Sequence, residues 1–247
     1  MVKLFLTLNL CLVLFHSQSQ INMRPITDLI NTQEPGWDLV KNWIDSATNK
    51  VEILPADSVR ARETLYQAQV TTRSPMGAII YTTGGLLIDH GWIRIIGSGH
   101  PRLNRSIHDW NKNKAFDENG NSKKIYLIAD DAIGGFFALN GGALGENIGK
   151  VYYLAPDNLL WEPTDLTYSS FLTFCFTGNL NDFYKDYRWK DWQKEVSTLP
   201  GDKVFNFYPP LWTKEGKNLD KTSRKTIPVE EQYQVNMSFI EQLKEKD

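Results

Sequence analysis

Apolar residues recur at helical spacing near both ends of the chain and in short, punctuated runs through its middle, which predicts helices flanking a sheet. Residues 25–31 predict a short helix, with Pro25 at an early position that helices tolerate. Trp37, Val40, Ile44 and Ala47 then form one helical stripe with Trp43 beside it. Residues 51–55 are a brief extended piece. Asp57 or Ser58 can cap a further helix running to Gln69, whose apolar face is Ala61, Leu65 and Ala68.

After Pro75 the period changes. Residues 76–82 predict a strand, Thr83-Gly84-Gly85 a turn and residues 86–88 a second strand. Asp89-His90-Gly91 turns the chain into a third strand over residues 92–96, rich in β-branched side chains. Residues 97–105 predict a polar loop, residues 106–110 one helical turn, and residues 111–124 a polar, mobile connection. Residues 124–129 and 134–139 form the next hairpin, joined by Asp130-Asp131-Ala132-Ile133. A glycine-rich connection over residues 140–145 leads to residues 151–154, and Pro156-Asp157-Asn158 turns that strand into residues 159–161. Short strands joined by short turns favour an antiparallel sheet over a βαβ arrangement.

Helices return at Thr167, a predicted N-cap, with Leu166 placed to pack on Phe171 as a hydrophobic staple. Phe183, Tyr187, Trp192, Val196 and Leu199 mark an aromatic helical stretch broken near Arg188. Residues 204–211 are extended, residues 214–225 form a basic loop, and Pro228 opens a last helix with Val229, Tyr233, Met237, Ile240 and Leu243 on one face. The sum is a single α+β domain over residues 23–247, with a central, mainly antiparallel sheet flanked by N- and C-terminal helices.

Charge changes the picture by exclusion. The chain has 247 residues, 27 of them Lys or Arg and 29 Asp or Glu, for a net charge of −2. No global basic field recommends nucleic acid as a partner. Residues 1–19 read as an export leader: Lys3 is a positive start, residues 4–15 an apolar run, and Ser17-Gln18-Ser19 a small-residue cleavage site before Gln20. The apolar run is short for a bilayer span, so no transmembrane segment is expected after its removal. The alternative is a cytoplasmic protein translated from Met23. Cleavage removes Cys11 and leaves Cys175, which excludes an internal disulfide and a multi-cysteine zinc cage. Lying within Phe174-Cys175-Phe176, Cys175 reads as a small core residue and not a nucleophile.

Polar residues that could do chemistry gather on the turns. Asp89-His90 sets a titratable imidazole beside a carboxylate, although strand neighbours point to opposite faces. His100 and Arg102 follow Gly97-Ser98-Gly99; such a loop, with Arg102 as a forked donor and Arg73 beside it, would suit a carboxylate or phosphate. Asp130 and Asp131 read as turn residues or as paired carboxylates. No spacing calls for a metal or a cofactor, and the GxSxG elbow, P-loop and HExxH patterns are all missing from the sequence.

In Thr71-Thr72-Arg73-Ser74-Pro75-Met76-Gly77-Ala78, in Asp89-His90-Gly91-Trp92, in Gly97-Ser98-Gly99-His100-Pro101-Arg102 and in the glycine-rich run over residues 134–142, the chain resembles an uncharacterised bacterial domain-of-unknown-function family. The likeness extends from about Met23 to the last helix. More remotely, a sheet followed by an aromatic helix is similar to the SUKH superfamily, many of whose bacterial members are immunity proteins against secreted toxins. That resemblance implies a toxin-like protein partner and a cytosolic setting, at odds with the leader.

Two functional expectations follow. The first is a non-enzymatic binding module whose surface carries Arg73, Asp89, His90, His100, Arg102, Asp130 and Asp131 and takes a protein partner or a small anionic ligand. The alternative is an exported hydrolase using His90 or His100 as base, oriented by Asp89 or Asp131. Export itself is expected to leave a mature protein that starts at Gln20. Intact mass of the fractionated native protein checks this, and a chain starting at Met23 would return it to the cytosol.

Overall fold

The computed structural model describes residues 23–118 and 120–244, and the expected leader lies outside them. Three short helices begin where their sequences suggest. Pro25 and Pro35 precede α1 (Ile26–Leu29) and α2 (Gly36–Asp45). After β1 (Val51–Pro55), the Asp57 carboxylate accepts the Arg60 N–H at 2.9 Å and starts α3 (Ser58–Ala68).

The next element corrects the expectation of a strand over residues 76–82. This segment is helix α4 (Pro75–Thr82), because Ser74 caps it through the Gly77 N–H at 3.1 Å and Pro75 occupies its first turn. Gly77, Ala78, Ile79 and Ile80 are all buried, so the helix has no polar face and the sequence shows no stripe. Thr83-Gly84-Gly85, expected as a turn, instead begins strand β2 (Thr83–Ile88). Its glycines are there for close approach: a Cβ on Gly84 would lie 2.7 Å from the Gly99 carbonyl, and one on Gly85 2.6 Å from Leu103 Cδ2.

From β2 the chain meanders through β3 (Ile93–Ile96), the short helix α5 (Ile107–Asn111), β4 (Ile125–Asp131), β5 (Phe136–Asn140), β6 (Val151–Leu154) and β7 (Trp161–Pro163). With β1 these form a seven-stranded sheet in sequential order, antiparallel throughout. The connection over residues 111–124 is anchored more firmly than its polarity suggests. Asn111 is fully buried, accepts the Leu127 N–H and donates to the Leu127 and Ile107 carbonyls, each at 2.8 Å. The sheet is followed by α6 (Tyr168–Thr177), α7 (Leu180–Phe183) and α8 (Trp192–Ser197). A two-stranded ribbon of β8 (Lys203–Tyr208) and β9 (Ser223–Pro228) precedes the last helix, α9 (Val229–Lys244). The fold is α+β, and no helix of the described residues is long and apolar enough to cross a membrane.

Strand alternation decides what each sheet face carries. Arg94 sits opposite Leu87 and Asp130, so these share one face; Asp131, opposite Ile93, points to the other. Asp130 and Asp131 thus close β4, both fully buried and on opposite faces, and not the exposed hairpin turn that the sequence suggested.

On the first face, Arg94 donates to Asp130 Oδ1 from Nε at 2.6 Å and to the Lys203 carbonyl from Nη1 at 2.8 Å. Arg105 Nη1 lies 2.5 Å from Asp130 Oδ2 as an ion pair without hydrogen-bond alignment. Arg105 continues to Asp202 at 3.2 Å and to the Gly201 carbonyl at 2.9 Å. This chain of charges bolts the start of β8 to the sheet. Helix α9 covers the same face, with Tyr233 edge-on to Phe136 at 5.1 Å and Asn236 donating to the Gly134 carbonyl.

A buried carboxylate stripped of one partner leaves its remaining groups uncompensated. Asp130→Ala, which orphans two guanidiniums, is expected to lose about 3–5 kcal/mol of unfolding free energy. Arg73→Ala, in an exposed pair with Glu34, should lose less than about 1 kcal/mol. Equilibrium urea unfolding of the two variants checks the contrast, and similar losses would deny Asp130 its structural role.

Candidate functional site

The second sheet face builds the larger recess. Phe137 on β5 and Tyr153 on β6 are direct cross-strand neighbours, with rings stacked at 4.5 Å. Thr167 caps α6 through the Ser170 N–H at 3.2 Å, and the helix then lays Phe171 against Phe137 at 4.9 Å. Asn179 caps α7 through the Asp182 N–H, which sets Phe183 against both Phe174 at 5.3 Å and Tyr153 at 5.7 Å. With Tyr187 these rings wall a cavity of about 520 Å³, a size typical of small-molecule sites.

Its floor is held from behind. Tyr153 donates its hydroxyl proton to Asp131 Oδ2 at 2.6 Å, and Tyr184 donates to the same oxygen at 3.2 Å. Asp131 Oδ1 accepts the N–H groups of Ile133 at 3.0 Å and Gly135 at 2.8 Å. Gly135 has to be glycine, since a Cβ would lie 2.5 Å from both Asp131 Oδ2 and Tyr153 Cε2. Burial raises the Asp131 carboxyl above the usual aspartate value, with the Tyr153 hydroxyl, the Gly135 and Ile133 N–H groups and Arg94 pulling the other way. Burial first, and then the Asp131 charge, pushes Tyr153 and Tyr184 well up. Both phenols therefore stay protonated near neutrality, and the cluster forms a hydrogen-bonded floor.

Polar groups of one sign stand around the cavity: Asp157 after β6, and Glu162 on the edge strand β7. Glu162 accepts from Asn158 Nδ2 at 2.9 Å. Burial raises the Tyr187 phenol, and its hydrogen bond to Asp157 raises it further. Among the described residues, no Lys, Arg or His lines this space.

The residues singled out on the turns are dispersed. Arg73 pairs with Glu34 at 2.7 Å in solvent. Asp89 pairs with Arg188, whose guanidinium lies over the Trp192 ring at 4.0 Å. His90, in the left-handed region at φ 64°, meets Trp192 edge-on at 6.1 Å. His100 Nδ1 accepts the Arg102 N–H at 3.1 Å, and the Arg102 side chain pairs with Glu52. Neither imidazole hydrogen-bonds Asp89 or Asp131, so the base–orienter pairs of the hydrolase reading are not assembled. His90 and Arg102 do meet, with Arg94, in a cleft of about 280 Å³ closed by the turn after α8. Among the described residues no three His, Cys, Asp or Glu side chains gather as a metal site. Cys175 is fully buried, and that burial pushes its thiol far up.

The cavity residues Tyr153, Asp157, Glu162 and Tyr187 escaped the sequence reading. Gly134-Gly135 following Asp131 was a usable sign, because a glycine beside a buried acid marks a close approach.

A family profile described as "Protein of unknown function DUF2625" matches residues 26–232. The chain is 44% identical to the "Putative uncharacterized protein YbfG" of Escherichia coli (strain K12) over 223 residues, 89% of this chain and 100% of that one. It is 42% identical to an "Uncharacterized protein" of Haemophilus influenzae over 216 residues, 87% of this chain and 95% of that one. No solved structure matches it.

The hydrogen bond from Arg102 holds the Glu52 carboxyl below the usual value of 4.5, against a smaller opposing effect of burial. A folded value below the unfolded one gives stability that is present above pH 4.5 and fades as pH falls through the folded value. Arg102→Ala should therefore cost less than about 1 kcal/mol at neutral pH, both side chains being about half exposed. That difference should be smaller at pH 3 than at neutral pH. Urea unfolding at both pH values measures it, and a loss undiminished in acid would assign Arg102 a role other than pairing with Glu52.

Proposed function

The chain belongs to the DUF2625 family, a family of unknown function, and from that premise we propose that it is a non-enzymatic binding module whose recognition site is the aromatic cavity. One observation carries this reading. The cavity is preformed: its Tyr153 floor is locked by Asp131, and the helices that supply Phe171, Phe174 and Phe183 to its walls are capped by the Thr167 and Asn179 side chains. Preorganised walls lower the cost of ordering a site around its ligand.

A second reading, immunity-type capture of a partner protein, draws on the cleft where His90 and Arg102 meet. The SUKH likeness and the turn residues Arg73, Asp89 and His100 support it alongside that cleft, whereas export by residues 1–19 would count against it.

Ala155 lines the cavity with a small side chain. A ligand-observed NMR screen of neutral and charged fragments is expected to find binders of the wild type that Ala155→Phe loses and the milder filler Ala155→Leu weakens. Hits that persist at full strength in both fillers, with native circular dichroism, would move recognition away from this cavity. The double variant Arg73→Ala/Arg102→Ala should keep every fragment hit. Loss of a native protein partner from that variant alone would favour the second reading.

A further inference from the structure

We propose that the ligand of the aromatic cavity is a small organic cation, an ammonium group carried on an apolar body. The inference rests on the binding-module reading and adds the chemical class of what is bound.

Aromatic faces carry negative potential, and a cation within about 6 Å of a ring centroid is attracted to it. Phe174, Phe183 and Tyr187 are the less buried rings of the wall, and Phe183 is 39% exposed, so their surfaces are available from the mouth. Elsewhere in this protein, cations already use rings in this way: Arg188 lies over Trp192 at 4.0 Å and Lys114 over Trp110 at 4.3 Å. In the cavity the rings have no such partner among the described residues, none of whose basic side chains lines it.

The second argument is charge complementarity. Asp157 and Glu162 are the ionisable acids of the lining, and both sit on the chain between β6 and the end of β7. The adjoining cavity of about 330 Å³ shares Asp157 and Tyr187 and adds one acid, Asp186, and one base, Lys217, so it leaves the negative sign of the shared wall unchanged. An anion entering would meet two carboxylates and no donor cation, a like-charge arrangement that rejects it. An ammonium would meet both carboxylates while its apolar body lies against Phe137, Phe171 and Leu166.

The experiment is isothermal titration at pH 7 with three probes of matched shape: 2-phenylethylammonium, 2-phenylethanol and phenylacetate. The cation is expected to bind about tenfold more tightly than the alcohol, and phenylacetate more weakly than either. Asp157→Asn/Glu162→Gln should bring the cation down to the affinity of the alcohol and leave the alcohol unchanged. Equal binding of cation and alcohol to the wild type, or a preference that survives the double variant, overturns the cation assignment while the cavity itself still binds. Absence of binding by all three probes also overturns it, and the fragment screen with the Ala155 fillers then shows separately whether the cavity reading falls.

Discussion

The structure depends on a single constraint at the end of β4: two adjacent aspartates, both without solvent, must be satisfied on opposite faces of one sheet. A strand cannot turn neighbouring side chains to the same side, so each carboxylate needs its own set of donors. Asp130 takes guanidiniums from Arg94 and Arg105, and Asp131 takes two phenols and two backbone N–H groups. The rest of the architecture follows the two requirements. Arg105 and Lys203 bring in the loop after β3 and the start of β8, while Tyr153 and Tyr184 bring in β6 and the end of α7.

The two solutions differ in what they leave over. The Asp130 side is closed, since its guanidiniums are spent on carboxylates and carbonyls, and the His90–Arg102 cleft above it is small. The Asp131 side is held by two phenols, and the Tyr153 ring extends past the carboxylate into a roomy aromatic wall. A hydrogen-bonded floor beneath an open recess is the feature on which the proposed binding reading rests.

Membership in a family of unknown function transfers no activity to this chain, so the function has to be argued from the chemistry of the site. What distinguishes the cavity is the agreement of its ring surfaces with the sign of its charges. The basic residues of the turns, in contrast, already have carboxylate partners in Glu34, Glu52 and Asp130.

By itself the sequence determined the α+β class, a mainly antiparallel run of short strands, the cap at Thr167 and the burial of Cys175, and it left the cap of α3 between Asp57 and Ser58. All of these are set by near neighbours in the chain or by the plain period of apolar residues. Tertiary structure decided three further things. Helix α4 reads as a strand because burial on every side erases the stripe that marks a helix. Asp130 and Asp131 read as a turn because acids are usually exposed, and only the register of β4 against β3 shows which guanidinium meets which oxygen. The cavity was illegible because its walls come from β5, β6, β7, α6 and α7, residues spread from Phe137 to Tyr187. Periodicity reports how each segment meets its own neighbours, and a cavity exists only where segments distant in sequence fail to fill the space between them.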